Sequence, residues 1–355
     1  MVLEEDIGPG LLVNSVAILY CPLSPIEGER KYEQIADEEA LQIANAIQVA
    51  LTDQGIASAI VEFDPMKLSN LEKFDWTFNL TETVYGFPYL DYQIAQLLEN
   101  KQIHFTGAGS NSLEVSLHKG KAKEIMARYQ MITPEYRITS DGMPIQIPEK
   151  PFPFIVKPIH EDGSIGITNQ SIVHNHFELE QQVRKIHDLY HEDALVEEYV
   201  TGRDISVSII GPDSKRSVLP LSECVYLNPA ENQILTYDSK WLVDSPDYRN
   251  TEVFCPIRLD PEMEQELERI AMLAFEVMEC KDYARIDFRV NGRTPYLLDV
   301  NPNPSIHPDD AGFTRSWKAT GRNYDQLVME ILTSSIENSA IRQKVNTYEN
   351  TNSQN

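Results

Sequence analysis

The chain is poor in cysteine and in positive charge, and both shortages narrow what it can be. Only Cys21, Cys224, Cys255 and Cys280 occur in 355 residues, with no C-x-x-C pair. That excludes a disulfide framework and a cysteine-rich zinc module alike, and leaves the four as reduced apolar side chains. Lys and Arg total 30 against 55 Asp and Glu, a net charge of −25. So acidic a surface repels nucleic-acid phosphates and the anionic face of a membrane, and neither is an expected partner. No apolar run approaches the roughly 20 residues that span a bilayer. The first residues, MVLEEDIGPG, lack the basic and apolar regions of a signal peptide, so the expected location is cytoplasmic. What is present is 42% hydrophobic residues with regular punctuation. At roughly 150 residues per domain this predicts two or three globular domains.

Periodicity predicts a strand at NSVAILYC and then a helix in which Ala40, Ile43, Ala44, Ile47 and Leu51 share a face. Strands follow at SAIVEFD, FDWTFNL and QIHFTG, the last two separated by a helix from Tyr89 to Asn100. Alternating strand and helix implies a parallel α/β domain over 1–115. A lysine-bearing helix over Ser112 to Tyr129, strands at PFIVKP and GITNQSIVHN, a helix over Phe177 to Tyr190 and the strand DALVEEYV form a smaller α+β domain, 116–200. A third domain, 201–340, opens with RDISVSIIG and SVLPLSECVY and crosses an irregular polar stretch near 228–250. It resumes with a helix over Pro261 to Cys280, strands YARIDFRV and TPYLLDVN, and a helix near Asp325 to Ile336. The polar end, 341–355, is predicted to be disordered.

Three groups of residues carry candidate chemistry. Arg285 and Asp287 in YARIDFRV, and Asp299 and Asn301 in YLLDVNPNP, are each two apart and share a strand face. If the strands are neighbours, two carboxylates and an amide oxygen meet beside a fixed cation, which suits Mg²⁺ bridged to phosphates. The alternative is a solvent-facing polar strand pair. Lys157 ends the apolar strand FIVKP and precedes EDGSIGI, with Gly163, Ser164 and Gly166. Glycine there admits backbone N–H groups close to phosphate oxygens, although a simple hairpin turn has the same composition. GxxxxGK[ST] is absent, so this is not a P-loop. In ALVEEYVTGRD, Glu197 at a hinge would accept from an exocyclic amine and Asp204 would hold a ribose diol, or the segment is an acidic turn.

Taken in order, LHKGKAKEI, FIVKP-x3-DGSIG, LVEEYVTGRD, ARIDF and LLDVNPNP resemble the D-alanine:D-alanine ligase branch of the ATP-grasp enzymes, from about Asp75 to Ile336. The resemblance implies a three-domain α/β architecture with ATP held between the two C-terminal lobes. It implies an ATP-dependent carboxylate–amine ligase that uses two Mg²⁺ ions, for which Mn²⁺ substitutes, with small amino acid and amine substrates and a homodimer as the common assembly. Lys119 and Lys157 would contact the ATP phosphates, and Ser164 with Gly163 would lie in the phosphate-covering loop. Glu197 would bind the adenine amine, with the Tyr199 and Val200 backbone at the base's edge and Asp204 on the ribose. Lys240, in the stretch matching the family's omega loop, would reach the γ-phosphate or the acyl phosphate. Asp287, Asp299 and Asn301 would hold the metals, and Arg285 would stabilise the oxyanion.

The sequence departs from the family where it grips the first amino acid. A glutamate aligned near Glu38 lacks the family's glycine-rich turn, the linked serine position is Gly163, and the linked tyrosine position is Trp241. Two hydroxyls of that network are lost, so it cannot form as in the family. Asp309 and Asp310 stand where the family uses small neutral residues around the second substrate, and Asp299 replaces a glutamate. An amino acid ligase of altered substrate is the expectation, with D-alanine:D-alanine ligation and a non-catalytic nucleotide-binding regulator as alternatives.

Overall fold

A computed structural model describes residues 13–21, 35–82, 90–228, 233–309 and 311–352, without side chains for 35–38 and 341–352. Three sheets organise the chain. In the first, β1 (Ser15–Tyr20) lies between β2 (Ala57–Glu62) and β3 (Trp76–Asn79), all parallel. The central strand, SVAILY, is buried on both faces, which explains its unbroken apolar run. Helix α1 (Ile35–Asp53) covers one face through Ile43, Ala44, Ile47 and Leu51. QIHFTG, expected as a fourth strand, makes only the single bridge Thr77–Phe105. Beyond it the chain turns away at Gly107, whose N–H donates to Asp282.

Helix α2 (Asp91–Asn100) leads to α3 (Ser110–Leu117) and α4 (Lys119–Arg128). The last two were expected as one helix. The break falls at His118, whose backbone is extended and whose ring accepts from the Lys121 N–H, capping α4. Gly120 follows in the first turn of α4, where a Cβ would crowd Ile138 and the His118 ring. The boundary expected at 115/116 falls inside α3.

The second sheet is antiparallel in the order β4 (Tyr136–Thr139), β7 (Ala194–Glu198), β5 (Phe154–Pro158), β6 (Ile172–Val173). Helix α5 (His176–Tyr190), capped by Asn175, packs Leu179, Val183 and Ile186 on it. The third sheet runs β11 (Thr251–Phe254), β10 (Ser222–Tyr226), β8 (Arg203–Ile210), β12 (Tyr283–Asn291), β13 (Thr294–Asn301), with β9 (Ser217–Val218) alongside β8. The polar stretch before β11 forms two short helices, α6 (Tyr237–Trp241) and α7 (Pro246–Arg249). Helix α8 (Pro261–Val277) starts on Asp260 as N-cap with Pro261 in its first turn, and its Leu267, Ala271 and Phe275 face the sheet. After α9 (Gly312–Lys318), α10 (Tyr324–Asn352) continues past the expected end at Ile336 and into the segment predicted to be disordered, as far as Asn352. Residues 337–352 contain no glycine or proline to stop it.

One apolar core joins the first sheet to the last helices. Trp76, Phe78 and Ile47 share it with Tyr283, Phe313, Trp317 and Leu327, and the Trp76 indole N–H bonds Ser335. The N-terminal α/β unit is thereby fixed against the start of β12, the strand that carries Arg285 and Asp287.

Candidate active site

Strands β12 and β13 are antiparallel neighbours, with Arg285 opposite Asn301 and Asp287 opposite Asp299. The four side chains share one face because the bulge comes only after Asp287. Asp287 is the hub. It accepts from Arg285 Nε and Nη2, both at 2.9 Å, from Asn301 Nδ2 at 3.0 Å and from Ser206 Oγ, across the sheet on β8, at 2.7 Å. Burial alone would raise its pKa, but the Arg285 guanidinium outweighs that and holds it below the usual carboxylate range. Asp299 shifts the other way. Burial raises it and Asp287 adds to the rise, against Lys119, Lys157 and Lys123.

Two adjacent carboxylates pushed in opposite directions, with an amide between them, form a hard-oxygen set that a divalent cation would relieve. Among the described residues no group of three His, Cys, Asp or Glu side chains gathers for a metal. The oxygens of Asp287, Asp299 and Asn301 are of the kind that would hold Mg²⁺, which takes its remaining ligands from water and substrate phosphate.

Opposite this edge lies a buried lysine–glutamate–lysine chain. Glu197 on β7 is 1% exposed and bonds Lys123 of α4 on one oxygen and Lys157 of β5, at 2.6 Å, on the other. Ile155 is the residue directly across from Glu197, so Lys157 is its diagonal neighbour on the same face. Burial would raise the Glu197 pKa, yet the two lysines bring it down to about 2. Lys123 is pushed down, by burial first, against the pull of Glu197, and it also donates to Thr133 Oγ1 at 2.7 Å. Each Glu197 oxygen accepts from one lysine and keeps further acceptor capacity, so the carboxylate expected at the adenine amine also anchors Lys123 and Lys157. Lys123 was overlooked, although it stands four residues after Lys119 on the helix that the resemblance singled out.

Other expected nucleotide contacts are constrained in similar ways. The Tyr199 N–H goes to the Pro153 carbonyl at 3.2 Å, so it is not available to a base edge, and Val200 is buried. Asp204 forms a 2.6 Å ion pair with Arg289, its partner across β8 and β12, and accepts from the Tyr226 hydroxyl. Burial raises its pKa and Arg289 opposes the rise. Neither Arg289 nor Tyr226 was singled out, though Arg285, Asp287 and Arg289 alternate along one strand face.

Two loops close over these groups. Gly163 and Ser164 both have positive φ, +55° and +65°, which turns the chain sharply after Asp162. Ser164 Oγ donates to the Leu235 carbonyl at 2.8 Å, the Tyr237 N–H to the Ile167 carbonyl at 3.0 Å, and Asn169 Nδ2 to both Asp247 oxygens. Lys119 Nζ donates to the Glu161 carbonyl. Lys240 keeps solvent access and lies among the charges of the site. Burial and then Arg285 push its pKa down, while Asp287, Asp162 and Asp299 pull it up.

The D-ala D-ala ligase C-terminus family matches residues 125–333. The chain belongs to this family. A D-alanine–D-alanine ligase relative from Alcanivorax borkumensis is 28% identical over 84% of this chain and 89% of its own. An uncharacterized protein y4sG from Sinorhizobium fredii is 30% identical over 82% of this chain and 86% of its own. A solved D-alanine–D-alanine ligase from Bacillus anthracis, complexed with ATP, has a TM-score of 0.72 and covers 93% of this chain and 99% of its own. At 19% identity that likeness shows the shared ATP-grasp fold. The protein is an ATP-grasp ligase of the D-alanine–D-alanine ligase type.

Between these two loops, where the family's hydroxyl network is expected not to form, a different hydrogen bond stands. The Trp241 indole N–H donates to the Gly163 backbone carbonyl at 2.9 Å, so a ring nitrogen and a main-chain oxygen join the positions where two hydroxyls are missing. For Asp309 the expectation is a place beside the second substrate unless it points to solvent. Its side chain is 79% exposed and lies 3.8 Å from Lys318, directed to solvent. Asp310 lies outside the described residues, and Glu38 lies on α1 with its side chain outside them.

Proposed function

We propose that the protein is a Mg²⁺-dependent ligase that joins an amino acid carboxylate to an amine through an acyl phosphate, consuming ATP and releasing ADP and phosphate. The carrying observation is the β12–β13 register, which gathers Arg285, Asp287, Asp299 and Asn301 on one face within electrostatic reach of Lys240, Lys119 and Lys157. Carboxylate attack on a triphosphate sets anion against anion, so the barrier falls only where fixed cations surround the transferring group. Lys119, Lys157 and Lys240 would supply that charge. Bound between Asp287, Asp299 and Asn301, Mg²⁺ would neutralise phosphate charge. A carboxylate oxygen bonds to the γ-phosphorus and the bond to ADP breaks. An amine then bonds to the acyl carbon, loses a proton, and phosphate leaves. Arg285, charged at any working pH, would stabilise the oxyanion formed in that second step. The bonded loops around Gly163 and Trp241 would keep water from the acyl phosphate.

The relatives named as D-alanine–D-alanine ligases make D-alanine the first acid to try, while the altered Gly163–Trp241 link favours a different one. A phosphate-release screen of paired amino acids and amines tests the proposal. Turnover is expected only when acid and amine are both present. Arg285→Ala and Asp287→Asn should lose it, and the second should also weaken Mg²⁺ dependence. ADP formation without any amine would instead support a kinase-like member, and ATP binding without ADP release a regulator.

A further inference from the structure

Lys240 sits in the polar stretch between β10 and β11, whereas Arg285 and Asp287 sit on a strand, and phosphoryl transfer needs all three at fixed distances. Arg289 lies on that same strand. The β8–β12 ladder runs without a break from Arg285 opposite Ser208, through Asp287 opposite Ser206, to Arg289 opposite Asp204, so the three β12 side chains share a face. Asp204, 2.6 Å from Nε, aims the guanidinium, and Nη1 and Nη2 both donate to the Gln233 main-chain carbonyl at 2.9 Å. The Tyr199 hydroxyl, on the connection between β7 and β8, accepts from the Gln233 N–H at 3.2 Å. The next residue, Ile234, is buried against Ile155 of β5 and Ile172 of β6. Gln233 and Ile234 are thus fastened to the third sheet by a polar group and to the second by an apolar contact.

Farther along, this stretch bonds to another loop. Ser164 holds the Leu235 carbonyl, the Ile167 carbonyl holds the Tyr237 N–H, Asn169 holds Asp247, and the Gly163 carbonyl holds the Trp241 indole. Bonds between two loops fix each to the other and neither to the strands beneath. Building on the ligase reading, we infer that Arg289 is a positioning residue: its paired N–H bonds to Gln233 register the segment that carries Lys240 against Arg285 and Asp287, so that lysine and carboxylate meet one phosphate. A carbonyl that accepts from a cation is tethered more strongly than by a neutral donor. Lysine cannot replace the tether, because an ammonium that pairs with Asp204 has no rigid fork with which to reach the carbonyl as well.

Arg289→Lys is therefore the informative change, since it keeps the positive charge that the largely buried Asp204 needs and removes the fork. Two readouts on the full-length protein separate the claims. Trypsin cleavage after Lys240, followed by mass, reads the loop without any turnover and should be several-fold faster in Arg289→Lys. Tyr199→Phe removes the hydroxyl on the same peptide group, leaves the ion pair alone, and should speed that cleavage by less. The second readout uses ATP, Mg²⁺ and hydroxylamine, which captures acyl phosphates as hydroxamates before the natural amine is known. On the amino acids that wild type accepts, beginning with alanine, kcat should fall about tenfold in Arg289→Lys, the range for lost charge-assisted hydrogen bonds, while the ATP KM changes less. Cleavage after Lys240 at the wild-type rate, or faster cleavage spread evenly over all sites, would overturn the assignment. So would an unchanged kcat, or a raised ATP KM with kcat intact. Absence of hydroxamate from every acid with wild type would instead overturn the ligase reading, and the cleavage rates would still decide the tether.

Discussion

Replacing Glu197 by Gln keeps the shape of the side chain and removes the charge between two lysines. Lys123 is 2% exposed, so its ammonium would be left buried opposite a neutral amide. Breaking a buried ion pair from one side costs about 3–5 kcal/mol, against a total stability of about 5–15 kcal/mol. The pH dependence has a definite sign. Held at about 2 in the folded protein, below its ordinary value, Glu197 contributes stability that is complete above about pH 4.5 and is lost as pH falls toward 2. That contribution is about 3 kcal/mol and should be absent from the variant. In the variant Lys123 loses the charge that sustains it, its pKa falls further, and stability should rise with pH as the lysine sheds its proton. Urea denaturation followed by the fluorescence of the buried Trp76 and Trp317, at several pH values, reads both effects. Adding Lys123→Met should recover much of the loss, because an apolar pair needs no counter-charge. Glu197→Gln within about 1 kcal/mol of wild type at pH 7 would refute the buried-triad account.

Trp241→Phe keeps the ring and deletes the indole N–H that bonds Gly163. One hydrogen bond is about 1 kcal/mol, so hydroxamate formation at low ATP should fall severalfold, and unchanged kinetics would show that the two loops do not depend on it. Asp309→Asn alters an exposed side chain and should leave the KM for every acid and amine unchanged. A KM rise confined to one substrate would return Asp309 to the site.

The strands that carry the site were legible because their pattern is local. Arg285, Asp287, Asp299 and Asn301 sit at period two in apolar strands, and period two fixes the face. Arg289 obeys the same rule, but its partner Asp204 lies 85 residues away in sequence, on a strand that only the folded sheet sets beside it. Other features depend on contacts no local pattern encodes. Lys123 meets Glu197 across 74 residues of sequence, and only the folded sheet brings them together. The Trp241 link escaped because its acceptor is a main-chain carbonyl, which has no sequence signature. His118 broke the expected helix through a ring cap, with Gly120 packed against that ring in the turn that follows. QIHFTG had strand composition, but composition cannot say that its single bridge would not extend into a ladder.

Isotope transfer tests the chemistry most directly. The amino acid that supports turnover is labelled with ¹⁸O in its carboxylate and incubated with enzyme, ATP, Mg²⁺ and an amine, and the released phosphate is analysed by mass. Attack by the carboxylate on the γ-phosphate carries one labelled oxygen into each phosphate. Phosphate free of label, with product formed, would mean that the acid is never phosphorylated and would contradict the account.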